Sequence, residues 1–299
     1  MTGTMPILCA GRIYCDLVFT GLDGAPEPGR EVFADALKVC AGGGAYITSA
    51  YLAALGETVG LVGMMPAAPF GVVVSDEMQR NHVQSFCEET LGLDAQITAA
   101  LVTQTDRAFV TRRVGSAVPQ SQIDALPHAR HLHIGELTTA LEHPDLLHRA
   151  QASGMSISLD CSWDGQALTR PDLAEIISLV DLFLPNEDEA EALEACCTHI
   201  QPRLATIIKR GAKGASCLRT GRTAIHAAGR NVEVVDTTGA GDAFNAGFLS
   251  AWLAGQPMEM ALALGNACGA TAVARIGGAG DLPDLSDLPQ TIAEPAAAQ

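Results

Sequence analysis

The sequence is poor in basic and in aromatic residues. It has 18 Lys and Arg against 34 Asp and Glu, for a net charge of −16, and only 4% of its residues are aromatic. Such an excess of negative charge disfavours nucleic acid and anionic membrane surfaces as partners. Nucleotide binding stays open, because a local anion hole and one Mg²⁺ can outweigh the overall field.

Long apolar runs and paired cysteine motifs are missing as well. The longest uncharged stretch, residues 243–258, contains Asn, Gly and Pro and is too short for a membrane span. The nine cysteines form no C-x-x-C pair and are odd in number, which predicts free thiols in a reducing compartment. No basic segment followed by an apolar run resembles a secretory signal. We therefore expect a soluble, cytoplasmic protein.

What the sequence does have is a regular alternation of strand-like and helix-like segments. Apolar strand candidates lie at residues 6–10, 58–62, 131–134, 156–159, 182–184, 206–208 and 232–235. Helical patterns lie at residues 45–55, 71–80, 144–152, 171–180, 187–195, 240–252 and 257–274. This alternation predicts an α/β fold with a doubly wound, mostly parallel sheet flanked by helices.

Two segments interrupt the alternation. Residues 17–39 and 96–114 carry extended, partly alternating patterns without a helix between them, which predicts hairpins outside the main sheet. The rest of the chain shows no internal repeat, so we expect one domain over residues 1–299. The Ala-rich tail from Ala293 is expected to be disordered.

The most informative stretch is a glycine-rich turn between an apolar segment and an Ala-rich helix. The backbone N–H groups of Gly239, Ala240 and Gly241 can converge at the helix N-terminus, where an anion is favoured. Asp242 would face that anion and repel it. This makes sense if the carboxylate takes a proton from an attacking hydroxyl while the turn holds a transferring phosphoryl group. Gly247, inside the helix, is expected to accept a methyl group without loss unless packing around it is tight.

Other polar clusters also follow predicted strands. They are Asp16, Asp160, Asn186 with Glu189, and the segment 209–211. Parallel strands end at one edge of a sheet, where ligands bind, so these clusters are expected to meet the turn at 239–242. A carboxylate such as Asp16 accepts two hydroxyl hydrogen bonds at once, which suits a polyol.

Several of these motifs resemble one known family. The run Asp236-Thr-Thr-Gly-Ala-Gly-Asp-Ala-Phe244, the spacing Gly11-x4-Asp16, the pair Gly42-Gly43 and the N-x-x-E at 186–189 occur in the order found in ribokinase-like (PfkB-type) carbohydrate kinases. The resemblance covers nearly the whole chain. It implies an ATP-dependent phosphotransferase acting on a hydroxyl of a sugar or sugar-like molecule, with a β lid built from about 17–39 and 96–114.

The resemblance also implies roles for individual residues. Asp242 would be the catalytic base and Gly239, Ala240 and Gly241 the anion hole. Substrate would be bound by Asp16, Gly42, Gly43 and Ile47. Nucleotide would be bound by Asn186, Glu189, Lys209, Gly211, Gly214 and Asn266, although many members have Thr where Lys209 stands and Asn266 is equally compatible with a helix surface. Glu189 would organise Mg²⁺ indirectly, Asp236 and Thr238 would hold a monovalent cation such as K⁺, and a homodimer would form through the lid.

The chain departs from the family pattern at two places. Ile47 occupies the position of an Asn that binds substrate hydroxyls, and residues 63–71 lack the usual G-x-V-G-x-D. An apolar side chain at position 47 predicts a drier pocket wall, because a substrate hydroxyl left unpaired there would cost about 1–3 kcal/mol. Ribose and fructose are therefore expected to be poor substrates.

Alternative interpretations remain open at this point. One is a nucleoside kinase of the same fold, and another is a catalytically silent sugar or nucleotide sensor, which an intact Asp242 disfavours. A Rossmann dehydrogenase is weaker still, since no G-x-G-x-x-G follows the first strand. The string His128, His131 and His133 indicates hydrogen-bonded or half-buried strand histidines rather than a metal site. Strand alternation places Arg107 and Arg113 on one face and Arg112 on the other.

Overall fold

The computed structural model describes residues 5–89, 95–103, 107–196, 200–280 and 282–293. The strands in this part of the chain are β1 Met5–Ala10, β2 Tyr14–Leu22, β3 Ala36–Gly42, β4 Val59–Val62, β5 Met64–Met65, β6 Gln84–Ser85, β7 Glu88–Glu89, β8 Ile97–Thr103, β9 Arg107–Arg112, β10 Ala129–Ile134, β11 Ser156–Asp160, β12 Leu182–Leu184, β13 Ala205–Lys209, β14 Ala215–Leu218 and β15 Ile225–Ala227. The helices are α1 Gly44–Ala54, α2 Phe70–Arg80, α3 Gln120–Asp124, α4 Leu137–Glu142, α5 Pro144–Ala152, α6 Leu173–Ser178, α7 Glu187–Cys196, α8 Ala240–Leu253, α9 Met258–Val273 and α10 Leu288–Ala293.

The main sheet has the strand order β6-β4-β1-β10-β11-β12-β13-β14-β15. All neighbours from β6 to β13 are parallel, and β13-β14-β15 continue as an antiparallel edge. The chain builds outward from β1 in one direction and from β10 in the other. The prediction of a doubly wound, mostly parallel sheet is confirmed, and its topological switch point lies between β1 and β10.

Helices cover both faces of this sheet because its central strands are apolar on both sides. Ile7, Leu8, Cys9 and Ala10 in β1 are all buried. One face packs against α1, α8 and α9 through a core that includes Tyr46, Phe248 and Leu262. The other face packs against α4, α5 and α6 through a core that includes Leu146, Ile157 and Ile177. Strands buried on both faces are typical of parallel sheets.

The two segments without helices form a second sheet with the order β3-β2-β8-β9. Strand β2 pairs antiparallel with β3 and parallel with β8, and β9 closes the sheet antiparallel to β8. The strands β2 and β3 begin at Tyr14 and end at Gly42, so this four-stranded sheet starts immediately beside the first turn of the main sheet. That connection brings it to the edge where ligands bind in such folds.

One strand prediction is wrong. Residues 232–235 are not a strand, and the side chains of Val232, Val234 and Val235 are 40%, 60% and 52% exposed. The main sheet ends at β15, and this segment does not pair with that edge strand. Instead the N–H groups of Val235 and Asp236 donate to the carbonyl of Val273 at the end of α9. β-branched residues favour strands only where a neighbouring strand is present.

Three further expectations concern composition. No helix in the described ranges is both long and apolar enough to cross a membrane. Eight of the cysteines are free thiols, mostly buried, whereas Cys197 lies outside the described residues. Helix α10 ends at Ala293, and the remainder of the predicted disordered tail, 294–299, lies outside the described residues.

Candidate active site

A cavity of about 770 Å³ lies at the carboxyl ends of the parallel strands. The main sheet lines it with residues such as Gly135, Asp160 and Lys209, and the four-stranded sheet lines it with Thr98 and Phe109. The predicted site residues that line it are Asp16, Gly43, Ile47, Asn186, Glu189, Lys209, Gly211, Gly214, Thr238, Gly239, Ala240, Gly241, Asp242 and Asn266. Gly42 and Asp236 stand directly behind this lining, against Asp16 and Thr238.

The glycine turn leads into α8 as the sequence predicts. Gly239 is the N-cap residue and has φ +73°, and a β-carbon there would lie 2.8 Å from the Cα atom of Gly278. Gly241 is the second residue of α8, where an α-helix offers its N–H no internal acceptor. The N–H of Ala240 already donates to Thr237 O at 3.3 Å. The N-terminal end of α8 can therefore receive an anion.

Asp236 fixes the shape of this turn. Its Oδ1 accepts hydrogen bonds from the N–H of Thr238 at 2.9 Å and from the hydroxyl of Thr238 at 2.7 Å. Its Oδ2 accepts from the N–H of Gly277 at 2.9 Å. Arg107, from the four-stranded sheet, donates to Thr237 and lies 3.5 Å from Asp236 Oδ1. These contacts hold the loop rigidly before the helix begins.

The carboxyl group of Asp242 lies where two glycine turns meet. A β-carbon built on Gly44 would lie 2.8 Å from Asp242 Oδ1 and 2.6 Å from Gly135 O. Only glycine at position 44 therefore leaves room for the carboxylate, because any other residue would overlap it. Thr48, one turn further along α1, donates its hydroxyl to the carbonyl of Asp242 at 3.2 Å.

The surroundings of Asp242 raise its pKa to about 7. Burial of the carboxyl group is the largest cause, and the nearby carboxyl groups of Asp160, Glu136 and Glu189 raise it further, while Lys209 opposes them. A carboxyl group with a pKa close to neutral is well matched to accept a proton from a hydroxyl near pH 7.

The other end of the cavity contains Asp16. A β-carbon on Gly42, in the neighbouring strand β3, would overlap the carboxylate of Asp16, and Gly43 has φ +99°. Burial and the negative charge of Glu77 raise the pKa of Asp16 to about 7, against a hydrogen bond from Thr98. This carboxyl group lines the cavity and can accept hydroxyl donors.

Ile47 has two roles in the structure, of which the sequence indicated one. It lines the cavity and is 4% exposed, as an apolar wall requires. Its Cγ2 atom would lie 3.1 Å from a β-carbon on Gly239, and its Cδ1 atom 2.5 Å from one on Gly278. The side chain therefore also supports the glycine turn from behind. Nothing in the motif spacing indicates this second contact.

Asn186 and Glu189 form a capping box at the start of α7. Asn186 Oδ1 accepts from the N–H of Glu189 at 2.8 Å, and Glu189 Oε2 accepts from the N–H of Asn186 at 2.8 Å. The N-x-x-E spacing is itself the signature of this cap, so the local structural role is present beside any role toward nucleotide. Burial and Asp160 raise the pKa of Glu189 to about 7.

Lys209, at the end of β13, joins a buried polar triangle. Its ammonium lies 2.7 Å from Asp160 Oδ1 and 3.3 Å from Asn245 Oδ1, and Asn245 Nδ2 donates to Asp160 Oδ2 at 2.6 Å. Asn245 is not among the site residues predicted from sequence. The available signal was its position three residues after Asp242, which places both side chains on one face of α8.

The remaining predicted nucleotide residues lie at the β13–β14 turn and on α9. Gly211 and Gly214 have φ +54° and +95°, and a side chain at 214 would overlap the backbone of Ala227. Asn266 is buried, which excludes the helix-surface alternative, and its amide donates to the carbonyls of Ala227 and Ala228, both at 3.0 Å. It thus fixes the loop after β15 beside the cavity.

Two histidines of the string, His131 and His133, are hydrogen-bonded to serines in the core. His131 shares hydrogen bonds with Ser156 and Ser158, both at 2.8 Å, and His133 with Ser158 at 2.8 Å. Burial lowers the pKa of both rings, so they are neutral core side chains. Both rings are fully buried on β10 and hydrogen-bonded, so of the two predicted environments the hydrogen-bonded core position is the correct one.

Comparisons with known proteins agree with the observed fold. The model of the pfkB family carbohydrate kinases matches residues 7–285. An ATP-dependent ribose-1-phosphate kinase of Halopiger xanaduensis is 29% identical over 287 residues, covering 91% of this chain and 93% of that protein. Arabidopsis thaliana ribokinase complexed with ribose and ATP superposes with a TM-score of 0.81 at 17% identity, covering 98% and 100% of the two chains. An archaeal nucleoside kinase from Methanocaldococcus jannaschii superposes with a TM-score of 0.79 at 20% identity, covering 97% and 98%.

The fold and site define a carbohydrate kinase of the ribokinase-like class. Because the family model spans nearly the whole chain, the protein belongs to the pfkB family of carbohydrate kinases. Its reaction is the ATP-dependent phosphorylation of a hydroxyl group on a sugar or sugar-like molecule.

Proposed function

We propose that Asp242 is the catalytic base of this kinase. The observation that carries the proposal is the position of its carboxyl group at the junction of the Gly42–Gly44 and Gly239–Gly241 turns. There it accepts the proton of the acceptor hydroxyl, whose oxygen bonds to the γ-phosphorus of ATP. The bond from that phosphorus to the β–γ bridging oxygen breaks and ADP leaves. The N–H groups at the start of α8 stabilise the charge on the transferring group.

The charges around the site fit a divalent cation. Asp160, Glu189 and Asp242 place three carboxyl groups around one ammonium, that of Lys209. Asn186 and Glu189 would hold Mg²⁺, partly through water, since hard oxygen ligands suit this ion. When bound, Mg²⁺ neutralises phosphate charge. Glu189 remains oriented for this task because its second oxygen is fixed by the cap of α7.

For the acceptor, we infer a small polyhydroxylated molecule that carries an anionic group, such as a sugar phosphate. Asp16 faces the cavity to accept hydroxyl donors, while Arg107 and Arg113 line it from the four-stranded sheet. Each arginine is held by a carboxylate, Asp236 and Asp164 respectively, which fixes it in place beside the cavity. The name of the Halopiger relative, a ribose-1-phosphate kinase, supports this class.

A nucleoside is the second candidate acceptor. The apolar Ile47 and the aromatic rings of Phe109 and Trp163 line the same cavity. A base ring would pack against these side chains without leaving a hydroxyl unpaired. The four-stranded sheet would act as the lid in either case, and Arg107 would be its contact with the glycine turn.

An acceptor screen tests these proposals. ADP formation is measured with ATP and Mg²⁺ across sugars, sugar phosphates and nucleosides, each beside a reaction without acceptor. We expect acceptor-dependent ADP formation, with the highest kcat/KM for a sugar phosphate. A nucleoside as the best acceptor would support the second candidate. ADP formation that no sugar, sugar phosphate or nucleoside increases would contradict both proposed acceptor classes.

Three further expectations, on compartment, dimerisation and a monovalent cation, belong with this proposal. The free thiols support action in a reducing cytoplasm. The exposed Leu37, Val39 and Val110 of the four-stranded sheet support dimerisation through that sheet. A monovalent cation near Asp236 and Thr238 stays a prediction, and Asp236 already receives the guanidinium of Arg107 as a positive neighbour.

A further inference from the structure

The ammonium of Lys209 is fixed in the cavity by two neighbours. Asp160 Oδ1 lies at 2.7 Å and Asn245 Oδ1 at 3.3 Å, and the Asn245 amide bonds the other Asp160 oxygen at 2.6 Å. The Lys209 side chain is 11% exposed and contributes to the cavity lining. An ammonium has three N–H donors, so these two acceptors account for two of them.

The same ammonium lies beside the phosphate-binding end of α8. A β-carbon built on Gly241 would lie 3.2 Å from Lys209 Nζ and 3.7 Å from its Cε atom. Gly241 has no side chain, so nothing from that residue separates the ammonium from the first turn of the helix. A full positive charge and the positive end of the helix dipole therefore act at the same place.

We propose that Lys209 is a catalytic residue that contacts the transferring phosphoryl group, with Asp160 and Asn245 as its positioning residues. This proposal rests on the proposed phosphoryl transfer. The lysine exchanges no proton: it stays an ammonium while the acceptor oxygen bonds to the γ-phosphorus, the β–γ bridging oxygen leaves with ADP, and Asp242 takes the hydroxyl proton. Its charge stabilises the oxygens of the group in transfer.

The alternative is a purely structural ion pair, in which Lys209 only neutralises the buried Asp160. The two roles differ in what they require of the nucleotide. A residue that contacts the γ-phosphoryl group strengthens the binding of ATP but not of ADP. A structural ion pair affects both nucleotides alike.

The first test compares Lys209→Met with Lys213→Met. Lys213 is four residues away and exposed, and its ammonium pairs with Glu187. We expect Lys209→Met to lower kcat about 10²–10³-fold, as removal of one donor to a developing negative charge does, and Lys209→Arg to keep more activity than Met. Lys213→Met should match the wild type. Calorimetry in the non-hydrolysing Asp242→Asn background should show that Lys209→Met weakens ATP binding and leaves ADP binding unchanged.

Lys209→Met could fail to fold because Asp160 is left unpaired, so a second pair of variants is compared. Asp160→Asn alone retains the ammonium, whereas Asp160→Asn with Lys209→Met removes both charges of the Lys209–Asp160 ion pair. We expect the double variant to have a kcat at least tenfold below that of Asp160→Asn. Equal kcat values, or equal losses of ATP and ADP affinity, would overturn the proposal. The kinase assignment would stand in that case, since it depends on wild-type turnover.

Discussion

At the scale of single residues, the site depends on how closely backbone approaches a few carboxyl groups. Gly42 leaves space for Asp16, and Gly44 leaves space for Asp242. Because these two carboxyl groups are buried, their pKa values are raised to about 7. Burial and neighbouring carboxyl groups disfavour the charged form of a carboxyl group, so its carboxylate accepts a proton more readily near neutral pH.

A pH profile follows from the raised pKa of Asp242. The base must be ionised to accept a proton, so lowering the pH through about 7 should remove the active form. We expect kcat/KM to fall about tenfold per pH unit on the acid side of that value. Steady-state kinetics from pH 5 to 9 checks this. A profile that stays flat down to pH 5 would show that no group with this pKa controls the reaction.

Ile47→Asn tests the apolar wall. The amide should raise kcat/KM for ribose or fructose relative to the wild type, because it offers partners to a hydroxyl that Ile47 cannot pair. It should also lower Tm, since a polar group left unsatisfied between Gly239 and Gly278 costs about 1–3 kcal/mol. Ile47→Leu is the matched control. Family-typical wild-type turnover of ribose or fructose, unchanged by the amide, would refute the inference.

Most residues of the site could be placed from sequence, because each followed a predicted strand or opened a predicted helix. Asn245 could not, because its part in the site comes from a contact with Asp160, 85 residues away. The second contact of Ile47, against Gly278, is equally non-local. Motif spacing reports neighbours along the chain and cannot report such contacts.

At the scale of elements, helix α8 shows that its glycines serve different purposes. From sequence, Gly247 is expected to accept a methyl group unless packing is tight, and the structure shows that packing is tight there. A β-carbon on Gly247 would lie 2.6 Å from Leu264 O and 2.7 Å from Cys268 Sγ, because α9 packs directly against α8. The low side-chain volume at 247 is a packing requirement between two helices.

Gly241→Val and Gly247→Ala should therefore fail in different ways. Gly241→Val should abolish most of kcat while leaving Tm within a few degrees, because its side chain enters the cavity near Lys209. Gly247→Ala should lower Tm, since overpacking costs about 1–3 kcal/mol, and keep kcat in the fraction that folds. Gly165→Ala, with no atom within 4 Å of the added carbon, is the control. A loss of kcat in the folded Gly247→Ala protein that matched Gly241→Val would contradict this separation.

Elements were predictable where periodicity and burial agreed. The segment 240–252 reads as a helix in both sequence and structure, where it is Ala240–Leu253. The strand prediction for the β-branched segment 232–235 was wrong, because strand propensity does not show whether a segment pairs with a neighbouring strand. The N-x-x-E pattern is compatible with a nucleotide site and with a helix cap, and the structure shows that Asn186 and Glu189 form the cap.

At the scale of the whole molecule, two sheets enclose one cavity and Arg107 links them. Arg107 lies on β9, and its guanidinium contacts Asp236 and Thr237, which directly precede the glycine turn at the start of α8. This contact crosses from the proposed lid to the proposed phosphate site. Arg107 is therefore a direct contact between the four-stranded sheet and the glycine turn.

Arg107→Ala should weaken that link. We expect KM for the acceptor to rise about tenfold, with a smaller change in kcat, because the lid contributes binding more than chemistry. Arg112→Ala, on the same strand but the opposite face, is the control. Steady-state kinetics with varied acceptor concentration measures both. Equal KM values for the two variants would show that the link does not serve acceptor binding.

The most direct test of the account is the comparison of catalysis and binding in Asp242→Asn. The amide keeps the shape of the carboxyl group but cannot accept the proton, so kcat should fall about 10²–10⁴-fold. ATP affinity, measured by calorimetry, should be unchanged or higher, because the charge that repels the γ-phosphate is gone. Activity above about a third of the wild-type value would contradict the assignment of Asp242 as the catalytic base.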